Sequence, residues 1–275
     1  MKFNVIIGGR KYFLQGGKIV GQGGQGCVIG PELYTKDPNF VTKIAKYEDA
    51  TPDFNISKKL FKIDPEERYG VYYRGRKYCN VTKTDLDSEH IVADPDGERC
   101  AEIAHRIESE TFCAIKMPRF DYDLKSHLPD LDRAGFVAFF KELWACVSFL
   151  HHHKYIHGDI KPDNIAFYKG RPVLFDWGWT FHLTSKKIIK EVFDDFSRDA
   201  YWAPILQEKP VAHPILALLY FNDIYNMAKA IKKLLSRLQT KFDFDELIRR
   251  HNEILINQEY FCEMTVDQVI HHIFK

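Results

Sequence analysis

One short stretch of this chain, His157-Gly158-Asp159-Ile160-Lys161-Pro162-Asp163-Asn164, gathers a carboxylate at Asp159, a cation at Lys161 and an amide oxygen at Asn164. A second carboxylate, Asp176, follows an apolar run and opens Asp176-Trp177-Gly178. Phosphoryl transfer needs this kit: a carboxylate to orient a hydroxyl, oxygen ligands for a metal ion, and cations to meet phosphate charge. Two further signals lie nearer the N-terminus. Gly21-Gln22-Gly23-Gly24-Gln25-Gly26-Cys27-Val28 has glycines at its first, third and sixth places. Missing side chains let backbone N–H groups come close to phosphate oxygens. No Gly-Lys-Ser/Thr follows, so this is not a Walker A loop. Cys27-Val28-Ile29 reads as a strand, whereas a dinucleotide-binding fingerprint would open a helix. Lys43, inside the strand-like Phe40-Val41-Thr42-Lys43, would be costly to bury unless it meets an anion. Lys46 competes with it for that role.

The elements that must position these groups fall into two sets. Up to about residue 116 the chain reads as short strands: Val5–Ile7, Tyr12–Leu14, Ile19–Val20, Cys27–Ile29, Phe40–Val41, Gly70–Tyr73 and Thr111–Ile115. A helix is expected from Thr51-Pro52, with Thr51 as cap and Ile56, Leu60 and Ile63 on its apolar face. Asp85–Arg99 carries many charges and an Asp-Pro-Asp-Gly turn, so it reads as a surface insertion. Beyond Pro118 the pattern turns helical. Phe136, Phe139, Phe140, Leu143, Val147 and Leu150 form one core-facing stripe, with Asp132 as N-cap. Ile165–Phe167 and Val173–Phe175 flank Lys169-Gly170-Arg171-Pro172 and read as a hairpin. The expected fold class is α+β, with a strand-rich lobe over 1–116, its insertion near 85–105, and a helical lobe over 117–275.

Composition narrows the function classes. With 39 Lys and Arg against 38 Asp and Glu, the net charge of +1 excludes the strongly basic footprint of a dedicated nucleic-acid binder. MKFNVIIGGRKYF holds too short an apolar run for a signal peptide, and no run of about 18 apolar residues predicts a membrane span. Six cysteines without C-x-x-C spacing predict reduced, mostly buried thiols in a reducing compartment, Cys27 among them. His151-His152-His153 reads as the polar end of a helix rather than a metal cluster. Trp177 and Trp179 read as core residues.

In order and spacing, the four signals resemble the eukaryotic-type protein kinase superfamily, over about Ile19 to Ala228. The resemblance implies a bilobal fold and an ATP- and Mg²⁺-dependent transfer to a protein Ser or Thr hydroxyl. It implies that Gly21, Gly23 and Gly26 cover the phosphates of ATP, with Val28 on the base and Lys43 on the α- and β-phosphates. Asp159 would orient the acceptor hydroxyl, Lys161 would meet the γ-phosphate, and Asn164 and Asp176 would ligate Mg²⁺. Asp223, in Asp223-Ile224-Tyr225-Asn226-Met227, would open the central helix and hold the catalytic-loop backbone. Tyr201-Trp202-Ala203-Pro204 is similar to the end of an activation segment, and Thr180, Thr184, Ser185 and Ser197 are candidate autophosphorylation sites.

The sequence departs from the family's pattern at several places. Gly158 replaces the arginine before the catalytic aspartate, which predicts activity without loop phosphorylation because the counter-charge is missing. The acid that should pair with Lys43 is either Asp53, Glu48 or Glu67. Asp53 is open to two readings, an ion pair or an acid in a first helical turn. Ile205 stands where a glutamate is usual after Ala203-Pro204. Compact kinases with His-Gly-Asp resemble those of large DNA viruses and the vaccinia-related and casein-kinase-1-like groups. A cytoplasmic location is expected, in the host or in a virion if the source is viral. An aminoglycoside-phosphotransferase-like small-molecule kinase and a pseudokinase binding module are the alternatives.

Overall fold

The computed structural model describes residues 3–7, 10–14, 18–23, 26–33, 37–82, 98–184, 203–207 and 215–275. The chain divides into two compact units, one of Met1–Glu67 with Val71–Arg119, the other of Arg68–Gly70 with Phe120–Lys275. The fold class is α+β, with antiparallel strand ladders and separate helices.

In the first unit, β1 (Phe3–Ile7) and β2 (Arg10–Leu14) form a hairpin of their own. The main sheet takes β3 (Lys18–Gly23), β4 (Gly26–Gly30), β5 (Phe40–Lys46), β6 (Arg74–Cys79) and β7 (Phe112–Pro118) in the order β3-β4-β5-β7-β6. Helix α1 (Tyr47–Ile63) follows β5, and α2 (Glu98–Arg106) precedes β7. Register fixes what each face carries. Cys27, Ile44 and Ala114 stand side by side across β4, β5 and β7, and so do Val28, Lys43 and Ile115. Neighbouring side chains along a strand alternate, so these rows lie on opposite faces. The first row packs with Ile29, Phe112 and, from α2, Cys100 and Ile103 in one buried cluster. The second row faces α1, because Lys43 reaches Asp53 of that helix.

Several expectations for this unit need correction. Helix α1 begins at Tyr47, a turn before Thr51, with Glu48 and Asp49 favouring its N-terminal dipole. Thr51 is therefore no cap. Its hydroxyl donates to the Tyr47 carbonyl within the helix (2.6 Å). Pro52 lies inside the helix, where it offers no N–H to the carbonyl a turn earlier. The buried face is Ala50, Asp53, Phe54, Ser57 and Leu60, while Ile63 is exposed. Of the expected face Leu60 is buried, and apolar periodicity missed the rest because two of its members are polar. Gly70–Tyr73 is not a strand: the ladder starts at Arg74, and Gly70, which belongs to the second unit, makes one isolated bridge there to Leu174. The reduced-thiol expectation fails for four of the six cysteines, which form the disulfides Cys27–Cys100 and Cys79–Cys113. Cys146 and Cys262 are free and buried. Residues 83–97 of the insertion lie outside the described residues.

The second unit contains β8 (Tyr122–Asp123), α3 (Arg133–His152), β9 (Tyr155–Ile156), a 3₁₀ turn (Pro162–Asn164), β10 (Ile165–Tyr168), β11 (Arg171–Leu174), β12 (Phe181–His182), α4 (Pro204–Gln207), α5 (Ile215–Leu238), α6 (Asp245–Ile256), α7 (Gln258–Cys262) and α8 (Val266–Phe274). Asp132 caps α3 by accepting from the Gly135 N–H at 2.7 Å. Every residue of the expected apolar stripe of α3 is buried. By length and composition α3 could cross a membrane, but half of its apolar window is buried in the protein, as in a core helix. The β10–β11 hairpin pairs Ile165 with Leu174, and its turn runs through Lys169 and Gly170 at φ of 51° and 79°. Helix α5 starts at Ile215, so Asp223 sits well inside it rather than at its beginning. Trp177 is buried, whereas Trp179 is 45% exposed and is not a core residue.

Candidate active site

The first unit carries the glycine hairpin and the lysine. Gly23 pairs with Gly26 at the tip of β3–β4, and Gly21 pairs with Val28 just beyond a bulge. Gly24 and Gln25 lie outside the described residues. At Gly26 the sheet itself demands glycine, since a Cβ there would come within 2.6 Å of the Ile44 carbonyl oxygen. Val28 stands directly opposite Lys43. Lys43 Nζ lies 2.8 Å from Asp53 Oδ2, with side chains only 11% and 2% exposed. The Tyr73 hydroxyl donates to the same carboxylate oxygen, and the Tyr73 N–H donates to Ser57 Oγ at 2.7 Å. This decides between the acids. Asp53 is buried in the second turn of α1 and holds Lys43. Glu67 instead pairs with Arg74 at 2.7 Å, and Glu48 is exposed. Lys46 is excluded as the competing lysine, because it pairs with Glu110 at 2.8 Å.

The second unit carries the His157–Asn164 loop. Strand β9 leads into it and the 3₁₀ turn closes it before β10. Asp159 Oδ2 accepts from Lys161 Nζ at 2.6 Å and from Asn164 Nδ2 at 2.8 Å. Asn164 Nδ2 also donates to the Asp159 carbonyl (2.9 Å). The loop backbone hangs on Asp223, which is fully buried on α5. Its Oδ2 accepts from the His157 N–H at 2.7 Å, and its Oδ1 from the Gly158 N–H at 2.9 Å. The His157 ring accepts at Nδ1 from the Asp159 N–H and donates from Nε2 to the Phe175 carbonyl (3.2 Å). The hairpin brings the second carboxylate to the same place. Ile165 faces Leu174, and the Phe175 N–H donates to the Asn164 carbonyl (3.1 Å), which sets Asp176 next to Asn164's loop. Asp176 has φ of 66°, a left-handed backbone that a non-glycine residue adopts at a cost.

No protein-family model matches the chain.

The donor set suits Mg²⁺ in kind, since an amide oxygen and a carboxylate are hard ligands. Asn164 spends its nitrogen on Asp159, so its oxygen is the atom that could ligate a metal. Among the described residues no group of three or more His, Cys, Asp and Glu side chains is arranged to hold a metal. The histidine run is engaged otherwise: His151 with Asp223, and His152 and His153 with the carbonyls of Ser148 and Phe149. Sequence reasoning missed two residues of the first unit. Tyr73 ties down Asp53, but only a fold can bring a tyrosine twenty residues away onto that carboxylate. Val20 is 46% exposed and lies on the face of Val28 and Val41: a Cβ on Gly30 would stand 3.2 Å from Val20 and 3.3 Å from Val41. An apolar residue just before a glycine run is the signal that could have found it.

Gly158 has φ of 81°, and a Cβ there would meet the Trp179 carbonyl oxygen at 2.7 Å. Thr180 donates its hydroxyl to the His157 carbonyl (3.0 Å), and β12 pairs with β9. The segment after Asp176 is thereby tied to the loop by the Thr180 hydroxyl and to β9 by strand pairing. Ser185, Ser197, Tyr201 and Trp202 lie outside the described residues. Ala203 donates its N–H to Asn222 (3.0 Å), and the N–H of Ile205 donates to Gln258 (3.0 Å).

Proposed function

We propose that this chain is an ATP- and Mg²⁺-dependent protein kinase of bilobal, kinase-like fold that transfers the γ-phosphoryl group to a Ser or Thr hydroxyl. The observation that carries the reading is the Asp159 carboxylate, bracketed by Lys161 and Asn164 in a loop whose backbone is fixed by a buried aspartate. In that setting Asp159 accepts a hydrogen bond from the acceptor hydroxyl and takes its proton as transfer proceeds. Lys161 lies close enough to Asp159 to meet the transferred phosphoryl group's charge. Lys43, fixed by Asp53 and Tyr73, presents its ammonium to the remaining phosphates. Val20 and Val28 offer apolar surface for the base. Asn164 and Asp176 would hold Mg²⁺, which neutralises phosphate charge when bound. Positioning and charge neutralisation supply most of the rate.

Gly158 supports transfer without phosphorylation of the following segment. That segment is tied to the loop by the Thr180 hydroxyl, and the position has no room for an arginine. Phosphatase treatment is expected to leave activity unchanged. The deciding test is transfer of labelled γ-phosphate from Mg-ATP to casein and basic-protein substrates, with phosphoamino-acid analysis and Asp159→Asn as control. Label on serine or threonine that vanishes in the variant supports the reading. Mg-ATP binding without protein labelling would shift it to a small-molecule acceptor, and no ATP binding to a pseudokinase.

A further inference from the structure

All four cysteines of the first unit are paired, and the two bonds do different work. Cys79 and Cys113 are direct register partners on β6 and β7, strands that the sheet ladder already joins. Cys27–Cys100 instead joins the sheet to α2, a nine-residue helix on the face opposite Lys43. Cys27 lies one residue after Gly26 and one before Val28, so the bond grips the returning strand of the glycine hairpin from behind. Besides this bond, α2 is held there by the burial of Ile103 and its neighbours in one apolar cluster and, at its last residue, by Arg106, which pairs with Glu110, itself paired with Lys46 of β5.

We propose that Cys27–Cys100 is a thiol-sensitive latch on the glycine hairpin. While the bond is intact, α2 backs β3 and β4 and keeps the hairpin in one shape. Its reduction releases α2, loosens the hairpin and weakens nucleotide binding, since a preformed site binds more tightly than one that must be ordered. The effect on nucleotide rests on the function proposed above; the effect on the hairpin does not. Both sulfurs are buried, so a reductant reaches them when α2 opens. A helix of this length is below the roughly 12 residues that stand alone in water, so its opening is a local event. A dithiol supplies the electrons. Its thiolate attacks one sulfur to form a mixed disulfide and expels the other cysteine as thiolate. Its second thiol then displaces the protein sulfur and closes the reagent's own disulfide. Two electrons and two protons pass to Cys27 and Cys100.

The test uses the full chain, isolated with its thiols alkylated at lysis for counting, then compared with and without dithiothreitol. The variants are Cys100→Ser and the control Cys79→Ser/Cys113→Ser. Two free thiols in the unreduced protein, at Cys146 and Cys262, are expected. Reduced wild type and Cys100→Ser should exchange the amides of 19–30 about tenfold faster, with 133–152 unchanged. Both should bind Mg-ATP about fivefold more weakly by calorimetry, and Cys100→Ser should ignore dithiothreitol. The control should behave as oxidised wild type. Six free thiols at lysis would overturn the latch, and so would equal exchange at 19–30 in both redox states. An effect of the control as large as that of Cys100→Ser would also overturn it, and so would equal Mg-ATP affinity in the two states. A hairpin that responds to reduction in a protein that never binds Mg-ATP supports the latch and counts against the kinase reading alone.

Discussion

Asp53 shows how much one side chain decides. Its oxygen receives both Lys43 and the Tyr73 hydroxyl, almost out of contact with water. Removing it takes away the carboxylate that meets the half-buried Lys43 ammonium, while removing the tyrosine hydroxyl only loosens the aspartate. Asp53→Ala is therefore expected to raise the KM for ATP about a hundredfold, and Tyr73→Phe about fivefold with kcat nearly unchanged, as suits a lost hydrogen bond of about 1 kcal/mol. Steady-state kinetics on both variants checks this, and an unchanged KM in Asp53→Ala would remove Lys43 from nucleotide binding. Gly158 gives a second prediction. Alanine there must adopt a left-handed backbone and also push its Cβ into the Trp179 carbonyl. Gly158→Ala should lose about 1–3 kcal/mol in urea unfolding and most of its transfer activity. A variant as stable and active as wild type would show that the Trp179 contact yields freely.

At the scale of elements, the central packing of the second unit contains a pH-sensitive joint. His251 on α6 is completely buried, accepts the indole N–H of Trp144 on α3 (3.3 Å) and donates from Nδ1 to the Leu247 carbonyl. Burial holds its pKa down to about 4, from an ordinary 6.5. Between those values the unfolded chain binds a proton that the folded chain refuses, so stability is complete above about pH 6.5 and falls as pH drops toward 4. About 2 kcal/mol should be lost between pH 7 and pH 5. Urea unfolding at both values checks it, with His251→Gln as reference for the other titrating groups, and parallel pH profiles would refute the assignment. Neither this joint nor the Asp223 clamp is a periodic feature. The stripe of α3, its Asp132 cap and the β10–β11 hairpin were legible because they follow apolar spacing and turn chemistry. Asp159, Lys161 and Asn164 are close in sequence and meet in one loop, and one hairpin carries Asp176 beside it. The start of α1 was not legible, since Thr51-Pro52 imitates a helix opening while the true buried face uses Asp53 and Ser57. The disulfides were illegible for a related reason: partners 73 and 34 residues apart meet only through sheet register and the return of α2.

Over the whole molecule, covalent and aromatic residues are distributed unevenly. Both disulfides belong to the first unit, and both free cysteines to the second. All four tryptophans, Trp144, Trp177, Trp179 and Trp202, also fall in the second. Tryptophan fluorescence therefore reports the second unit, while circular dichroism reports both. Each disulfide closes a long loop, and in the chain-entropy account each contributes about 4 kcal/mol by restricting the unfolded chain. The two loops overlap in sequence, so their contributions do not simply add. If the compact units melt separately, dithiothreitol should lower the dichroism transition of the first by on the order of 10 °C. The fluorescence midpoint should stay in place, because nothing in the second unit is cross-linked. Thermal scans with both probes, with and without reductant, provide the comparison. A joint downward shift would mean that the chain unfolds as one cooperative body, and that the cross-links of the strand-rich unit stabilise the helical one as well.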